Sequence, residues 1–396
     1  MKLLLLTTAP LSADTGPQAR LQYELAALSD LASVTIVCLG RSADDEQTRA
    51  RYPKVDFKHF PIIYRGWEVV NLREIADFIE VEAARGHYAM VILLMEIWDL
   101  MRELSGRLES KVPFATTIHA MPFLGSPLEP SGDFARDVKC YADSGLDEYR
   151  REYILAHFEE TEAVFKKTLI LANNNTVAHY FSCYFQALPF WTLGQSVYGT
   201  ASPPVYNPHP VFDFAYIARI ERGKGVEYLS AILEGAAQQL NRKVKLALAG
   251  RADDAFGREA IRDLLSRAAA GRCAEVCFYG WADRKMKQAI LSDAGVFLYP
   301  SYYDNYPTVI TEALAYGLPC IVWDVPYTRV NYLRTGALLK VPFPETGHFA
   351  ETAVRARMQR EALFSEAVAY VRQADSGQEI ARKDVELFRT LLGRHD

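Results

Sequence analysis

Short, mostly apolar runs recur along the chain, each followed by an amphipathic stretch, and the alternation breaks and restarts once. In the first half, KLLLLTT at Lys2–Thr8 is followed by an amphipathic stretch at about Pro17–Ser29 and a second apolar run, VTIVCL, at Val34–Leu39. Further buried strands are expected at about Tyr88–Met95 and Pro113–Ile118, with helices near Leu72–Arg85 and Ile97–Leu108. Strands that read as unbroken apolar runs are covered on both faces, so this rhythm predicts βαβ units and a parallel sheet flanked by helices. The stretch from about Asp133 to Lys167 has a helical pattern rich in charge and aromatics and reads as a helical elaboration, about 131–167, on the first domain.

The rhythm stops at Gly194–Pro210 (GQSVYGTASPPVYNPHP), whose glycines and prolines can continue neither a helix nor a central strand. It resumes with expected strands at Phe212–Ala218, Lys243–Ala249, Glu275–Tyr279, Gly295–Tyr299 and Pro319–Val322. Between them fall helices from about Val226 and at Ala255–Ala269, Arg284–Ser292 and Thr308–Tyr316, and Phe349–Leu392 reads as helices only. The expected architecture is α/β: two Rossmann-like, doubly wound domains facing a cleft. The first covers 1–193, a hinge 194–211, the second 212–372, and a terminal helix at 373–396 crosses back to brace the first domain. In such sheets ligands sit outside the carboxyl ends of the strands, so chemistry is sought in strand-to-helix loops.

Bulk properties narrow the function. Half of the 396 residues are hydrophobic and 23% are charged, the balance of a folded globular chain. A net charge of -5 provides no positive field to gather nucleic acid. The apolar runs, such as Met1–Thr8 and Met90–Met95, are far shorter than the roughly 20 residues a membrane-spanning helix needs. Met1–Thr8 leads into a loop without a small-residue cleavage site and reads as a buried strand, not a signal peptide, so a cytoplasmic protein is expected. Six cysteines are scattered without zinc-ligand spacing and are expected to be reduced thiols, with no metal site.

Two segments could carry chemistry. In FAYIARIERGKGVEYLSAIL, Arg219 follows a buried strand and Lys224 precedes a helix that begins near Gly225. A glycine-flanked helix start with two cations beside it suits a phosphate, although a solvated basic turn would look the same. The triphosphate-binding glycine loop is excluded, because Ala218 and Gly225 occupy the positions of its first glycine and its metal-binding hydroxyl. In FLYPSYYDNYPTVITEALAYGLPCIVWDVP, Asp304 and Glu312 flank the entry and first turns of one helix, where the N–H groups of Thr308 and Val309 are available to an anion. The alternative is an N-capping Asp304 and a solvent-facing Glu312.

This second segment resembles the signature of GT-B retaining glycosyltransferases of the family-4 type: an acidic residue, seven residues, a glutamate, a small-residue helix and Gly-x-Pro. Asp304, Glu312, Ala313, Ala315, Gly317 and Pro319 match it, and Pro300–Ser301 fits the strand end. Arg219 and Lys224–Gly225 fit the family's Gly-Arg…Lys-Gly element, LALAG at Leu246–Gly250 the next strand, and FYGW at Phe278–Trp281 the loop that lies against the nucleobase. Gly16 sits where the family has a glycine-rich turn facing the donor phosphates, and His119 where it often has a histidine near the transferred sugar. Three departures stand out: Asp304 for the usual glutamate, Ala218 for the glycine before the arginine, and Pro307 for a glycine that would supply an N–H.

The resemblance implies transfer of a sugar from a nucleoside diphosphate donor to an unknown acceptor, with retention and without a metal. It assigns donor contacts to Gly16, Arg219, Lys224, Gly250, Gly280, Trp281, Asp304, Asn305, Tyr306, Thr308, Val309 and Glu312. The catalytic group would comprise His119, Asp304, Arg219 and Lys224, with Glu312 on the ribose and Asp304 on the donor sugar. Arg219, Lys224 and the amides near Thr308 would stabilise the leaving diphosphate. The chain has no Asp-x-Asp metal motif, so no cofactor or divalent ion is expected. Glu96, Trp98 and His119 would line the acceptor site, with packing as the alternative for Trp98. The aromatic-rich region Tyr141–Phe165 could form an acceptor wall or touch a membrane surface peripherally. A phosphorylase or sugar-nucleotide epimerase, a nicotinamide-dependent dehydrogenase and a non-catalytic binding protein are the rival readings; the second lacks Gly-x-Gly-x-x-Gly after the first strand.

Overall fold

A computed structural model describes residues 1–8, 25, 28–30, 32–40, 46–65, 68–94, 97–118, 128–144, 160–172, 174–185, 190–192, 204–271, 273–332, 335–373, 379, 382–383, 386–387 and 389–390. The chain divides into two compact units, one formed by 1–123, 130–196 and 375–396, the other by 124–129 and 197–374.

The first unit is built on a seven-stranded parallel sheet. Its strands are β1 (Lys2–Thr7), β2 (Ser33–Cys38), β3 (Val55–His59), β6 (Met90–Leu93), β7 (Phe114–Ile118), β8 (Leu169–Ala172) and β9 (Phe190–Thr192). They lie in the order β3-β2-β1-β6-β7-β8-β9, while β4 (Tyr64–Arg65) and β5 (Glu68–Val69) form a separate two-stranded ribbon. On β1, Leu3 registers with Val34 on one side and Met90 on the other. Side chains Leu3, Leu5, Ile36, Met90 and Ile92 join one core cluster with Leu25 and Leu28. Helices Leu72–Gly86, Trp98–Leu108, Phe134–Asp143 and Asn175–Tyr184 belong to this unit.

The second unit holds a six-stranded parallel sheet: β10 (Phe212–Ile217), β11 (Val244–Ala249), β12 (Ala274–Phe278), β13 (Ala294–Tyr299), β14 (Cys320–Trp323) and β15 (Leu338–Val341). Their order is β12-β11-β10-β13-β14-β15. The chain starts at the middle of the sheet, runs outward to one edge, then crosses back and runs to the other. That is the doubly wound order, with its switch point between β10 and β13. Both switch-point strands are buried along their whole length. Two α/β domains with parallel sheets are thus present, as the apolar rhythm predicts.

One charge lies within β10. Asp213 is 5% exposed and accepts from the two terminal nitrogens of Arg242 (2.9 and 2.7 Å), from Arg357 Nε (2.6 Å) and from the Lys245 amide (2.9 Å). Burial pushes its carboxyl pKa up, but these hydrogen bonds and cations outweigh burial and hold it below the usual range.

Several elements differ from the sequence reading. Strands β3, β8, β9 and β15 are absent from the expected set, as is the helix Asn175–Tyr184. Edge strands β3 and β15 are only partly buried, with burial patterns that alternate poorly. The helix expected from Val226 opens as a 3-10 turn, Val226–Tyr228, and becomes α-helical at Leu229–Leu240. Of the expected elaboration 131–167, the helix Phe134–Asp143 and helical residues 160–165 are described.

Candidate active site

The loops after β10 and β13 meet at the switch point. Gly225 makes their approach possible: its φ is +80°, and a Cβ there would lie 1.8 Å from the carbonyl oxygen of Pro300, so no other residue fits. The Gly223 carbonyl accepts from the Tyr302 amide (2.9 Å) and from Ser301 Oγ (3.0 Å). From below, Trp323 Nε1 donates to Pro300 O (2.7 Å) and Tyr327 OH to Ser301 O (2.9 Å). Tyr216 OH closes the other side by donating to Lys224 O at 3.1 Å. Buried hydroxyls and an indole therefore satisfy backbone groups that two bare loops would leave unpaired.

This frame brings Lys224 onto Asp304. Lys224 is 7% exposed, and its Nζ donates to Asp304 Oδ2 at 2.7 Å and to Tyr303 O at 3.0 Å. Asp304 Oδ2 also accepts from Tyr299 OH at 2.6 Å, and Oδ1 accepts from the Asn305 amide at 2.8 Å. Burial, then the Asp304 charge, pushes the Tyr299 phenol far above its ordinary value, so it remains a donor. Asp304 does not cap the following helix: the N-cap of Thr308–Ala315 is Pro307, whose carbonyl accepts from Tyr332 OH at 3.1 Å.

Glu312, on that helix, does not face solvent either. Its side chain is 17% exposed and its Oε2 accepts from Lys287 Nζ at 2.7 Å. Thr308 and Val309 open the helix, so their N–H groups have no carbonyl within it. Arg219 stands apart from the buried pair, 67% exposed and bridged to Glu221 at 3.0 Å.

The neighbouring strand ends add a ledge. The Gly250 amide donates to Gly280 O at 2.7 Å, tying the end of β11 to the loop after β12. A Cβ on Gly250 would lie 1.9 Å from Ala218 O, so glycine is required for that approach too. Beyond Gly280, Trp281 is 59% exposed, with the Arg251 guanidinium 5.9 Å from its ring centre. Asn305 O accepts from Asn331 Nδ2 at 2.7 Å, and Tyr306 stacks on Tyr332 with ring centres 5.9 Å apart.

In the first unit, Trp98 begins the helix Trp98–Leu108 and packs edge-on against Phe165 at 5.7 Å. Gly16, Glu96 and His119 lie outside the described residues. Among the described residues, no three His, Cys, Asp or Glu side chains gather as a metal site, and no helix is long and apolar enough to cross a membrane.

The structure thus joins Lys224 to Asp304, and gives Glu312 a partner, Lys287, that the sequence reading does not include. Lys287 sits one turn into the helix Arg284–Ser292, and only the fold carries it to Glu312, 25 residues on. Tyr299 carries no such signal either: the last residue of an apolar strand gives no sign that its hydroxyl serves the next loop.

Residues 206–345, which contain the switch-point loops with Lys224, Asp304, Lys287 and Glu312, match the family described as Glycosyl transferases group 1. This segment is similar to a glycosyltransferase group 1 domain. Sugar transfer is the activity class of that family, and the group 1 domain carries both loops of the switch point. Among curated protein sequences, none matches the chain. Solved structures share its fold over nearly the whole length. Sucrose-phosphate synthase from Thermosynechococcus elongatus is 18% identical, with 99% of each chain covered and a TM-score of 0.73. HepE of Anabaena, in complex with UDP and glucose, is 14% identical, with 98% of this chain and 100% of that one covered and a TM-score of 0.62. A glycosyltransferase from Rickettsia africae is 14% identical, covering 99% and 98%, with a TM-score of 0.65. The two parallel-sheet domains flanking the group 1 segment boundary are those of the GT-B fold.

Proposed function

We propose that the chain transfers a sugar from a nucleoside diphosphate sugar to an acceptor hydroxyl, with retention at the anomeric carbon and without a divalent metal. The observation that carries this reading is the Lys224–Asp304 contact at the switch point of the group 1 domain, 2.7 Å long and nearly buried. A sugar bound there meets a fixed carboxylate, and a diphosphate meets a helix start.

The ion pairs suggest a division of labour. Arg219's bridge to Glu221 is exposed, and such pairs contribute roughly 0–1 kcal/mol. A diphosphate displaces Glu221 at little cost, and the guanidinium offers it two parallel N–H bonds. Lys224 is committed to Asp304 and Tyr303 O, so its first task is to hold the carboxylate. Asp304, loaded with three donors, keeps lone pairs for a sugar hydroxyl but is a weakened nucleophile. That favours a front-face route: the bond from the anomeric carbon to the diphosphate oxygen breaks, and the acceptor oxygen bonds to the same face. The acceptor proton passes to the departing phosphate. Arg219 and the amides of Thr308 and Val309 stabilise the developing charge. Binding of UDP and UDP-glucose by HepE makes a uridine nucleotide the first donor to try.

The test is a thermal-shift panel of nucleoside diphosphates and their sugars, followed by NMR of the first sugar anomer released from the best donor, with and without chelator. A ligand at 100 times its Kd adds about 2.7 kcal/mol of stability. Stabilisation by one donor, and release with retained configuration in chelator, are expected. A panel without any stabilising nucleotide defeats the proposal; inverted product defeats the retaining route.

A further inference from the structure

Lys287 and Glu312 lie on the two helices that precede and follow β13. Asp283 caps the first of them by accepting from the Met286 amide at 2.7 Å, and the Lys287 amide donates to Asp283 O at 2.9 Å. Lys287 is therefore fixed in a capped first turn, and its Nζ reaches across to Glu312 Oε2 at 2.7 Å. The lysine side chain is 30% exposed and the glutamate 17%, so the pair is partly withdrawn from water.

We infer that Lys287 is a positioning residue that fixes Glu312 as an acceptor for the ribose hydroxyls of the donor, and so sets the preference for ribonucleotides. This rests on the proposed donor site. A glutamate has three side-chain torsions to order, and anchoring one carboxylate oxygen on Lys287 spends that entropy before the ligand arrives. The other oxygen, Oε1, is then held ready for a hydroxyl. Charge makes the second contribution. A nucleoside settling over Glu312 removes its remaining water, and a carboxylate covered without a cation is costly. With Lys287 in place, the same covering strengthens the pair, because the local dielectric falls. Lys287 thus acts through Glu312 and needs no ligand contact of its own.

The experiment uses the full chain. Uridine, adenosine and guanosine diphosphates are titrated by calorimetry, and the tightest is compared with its 2′,3′-dideoxy counterpart in wild type, Lys287→Met and Lys287→Arg. Wild type is expected to favour the ribonucleotide. Lys287→Met should weaken the ribonucleotide about tenfold, the scale of a hydrogen bond to a charged group, while leaving the dideoxy ligand within about twofold. Lys287→Arg should restore most of the preference. A Lys287→Met protein that keeps the wild-type preference overturns the inference, as does equal weakening of both ligands, which marks a merely structural role. Absence of any diphosphate binding in wild type strikes the donor site itself, a separate failure.

Discussion

Replacing Lys224 or Arg219, both in the loop after β10, should give different results, because the first is buried in a network and the second is not. Lys224→Met keeps the volume of the aliphatic stem but removes the donor to Asp304 Oδ2 (2.7 Å) and to Tyr303 O (3.0 Å). Breaking a fully buried ion pair from one side costs about 3–5 kcal/mol. Asp304 retains Tyr299 OH and the Asn305 amide, and its side chain is 17% exposed, so the expected loss is smaller, about 2–3 kcal/mol. For a domain of this size that lowers Tm by roughly 5–10 °C. Arg219→Ala removes only an exposed pair with Glu221 and should leave Tm within about 2 °C, while sharply weakening nucleoside diphosphate binding. Adding Asp304→Asn to Lys224→Met should recover part of the lost stability, since no charge is then left unpaired. Thermal unfolding followed by circular dichroism measures all four proteins. A Lys224→Met transition as high as wild type, or an Arg219→Ala loss equal to it, would refute the reasoning.

Two further outcomes follow from the second unit. Gly225→Ala should fail to accumulate as folded protein or lose donor binding, because its Cβ would overlap Pro300 O; a well-folded, wild-type-like Gly225→Ala would show that the loops can part without consequence. Asp213, whose carboxyl titrates below its ordinary value, binds its proton more readily in the unfolded chain, so its contribution is complete above the usual aspartate range near pH 4 and is lost as pH falls through the lower folded value. Asp213→Asn should therefore lower stability at pH 7 and flatten the acid limb of an unfolding-versus-pH curve; an unchanged limb would count against the clamp.

The legible part of the molecule was its buried middle. Strands β10 and β13 are buried throughout, and their loops carry residues whose types and order stand out in the sequence. What escaped was either peripheral or relational. Edge strands β3 and β15 are only partly buried, so burial leaves little period in them, and the four apolar residues of β8 are too few to distinguish a strand from part of a helix. Lys287 and Tyr299 acquire their roles only through tertiary contact with Glu312 and Asp304. Arg219 and Lys224 read together as a phosphate site because they are close in sequence, and closeness says nothing about which of them is buried.

The Lys224–Asp304 contact spans 80 residues. During synthesis the lysine emerges long before its carboxylate, and β11, β12 and their helices must be made before β13 can insert beside β10. Until that insertion, neither loop has the partner that shapes it, and no half of the site exists to be tested or misused. Truncations ending before Asp304 should thus lack any vestige of the constellation rather than retain a weaker version. Long-range parallel pairing of this kind is slow to form, so acquisition of nucleotide binding by a nascent or refolding chain would time the closing of the sheet's centre.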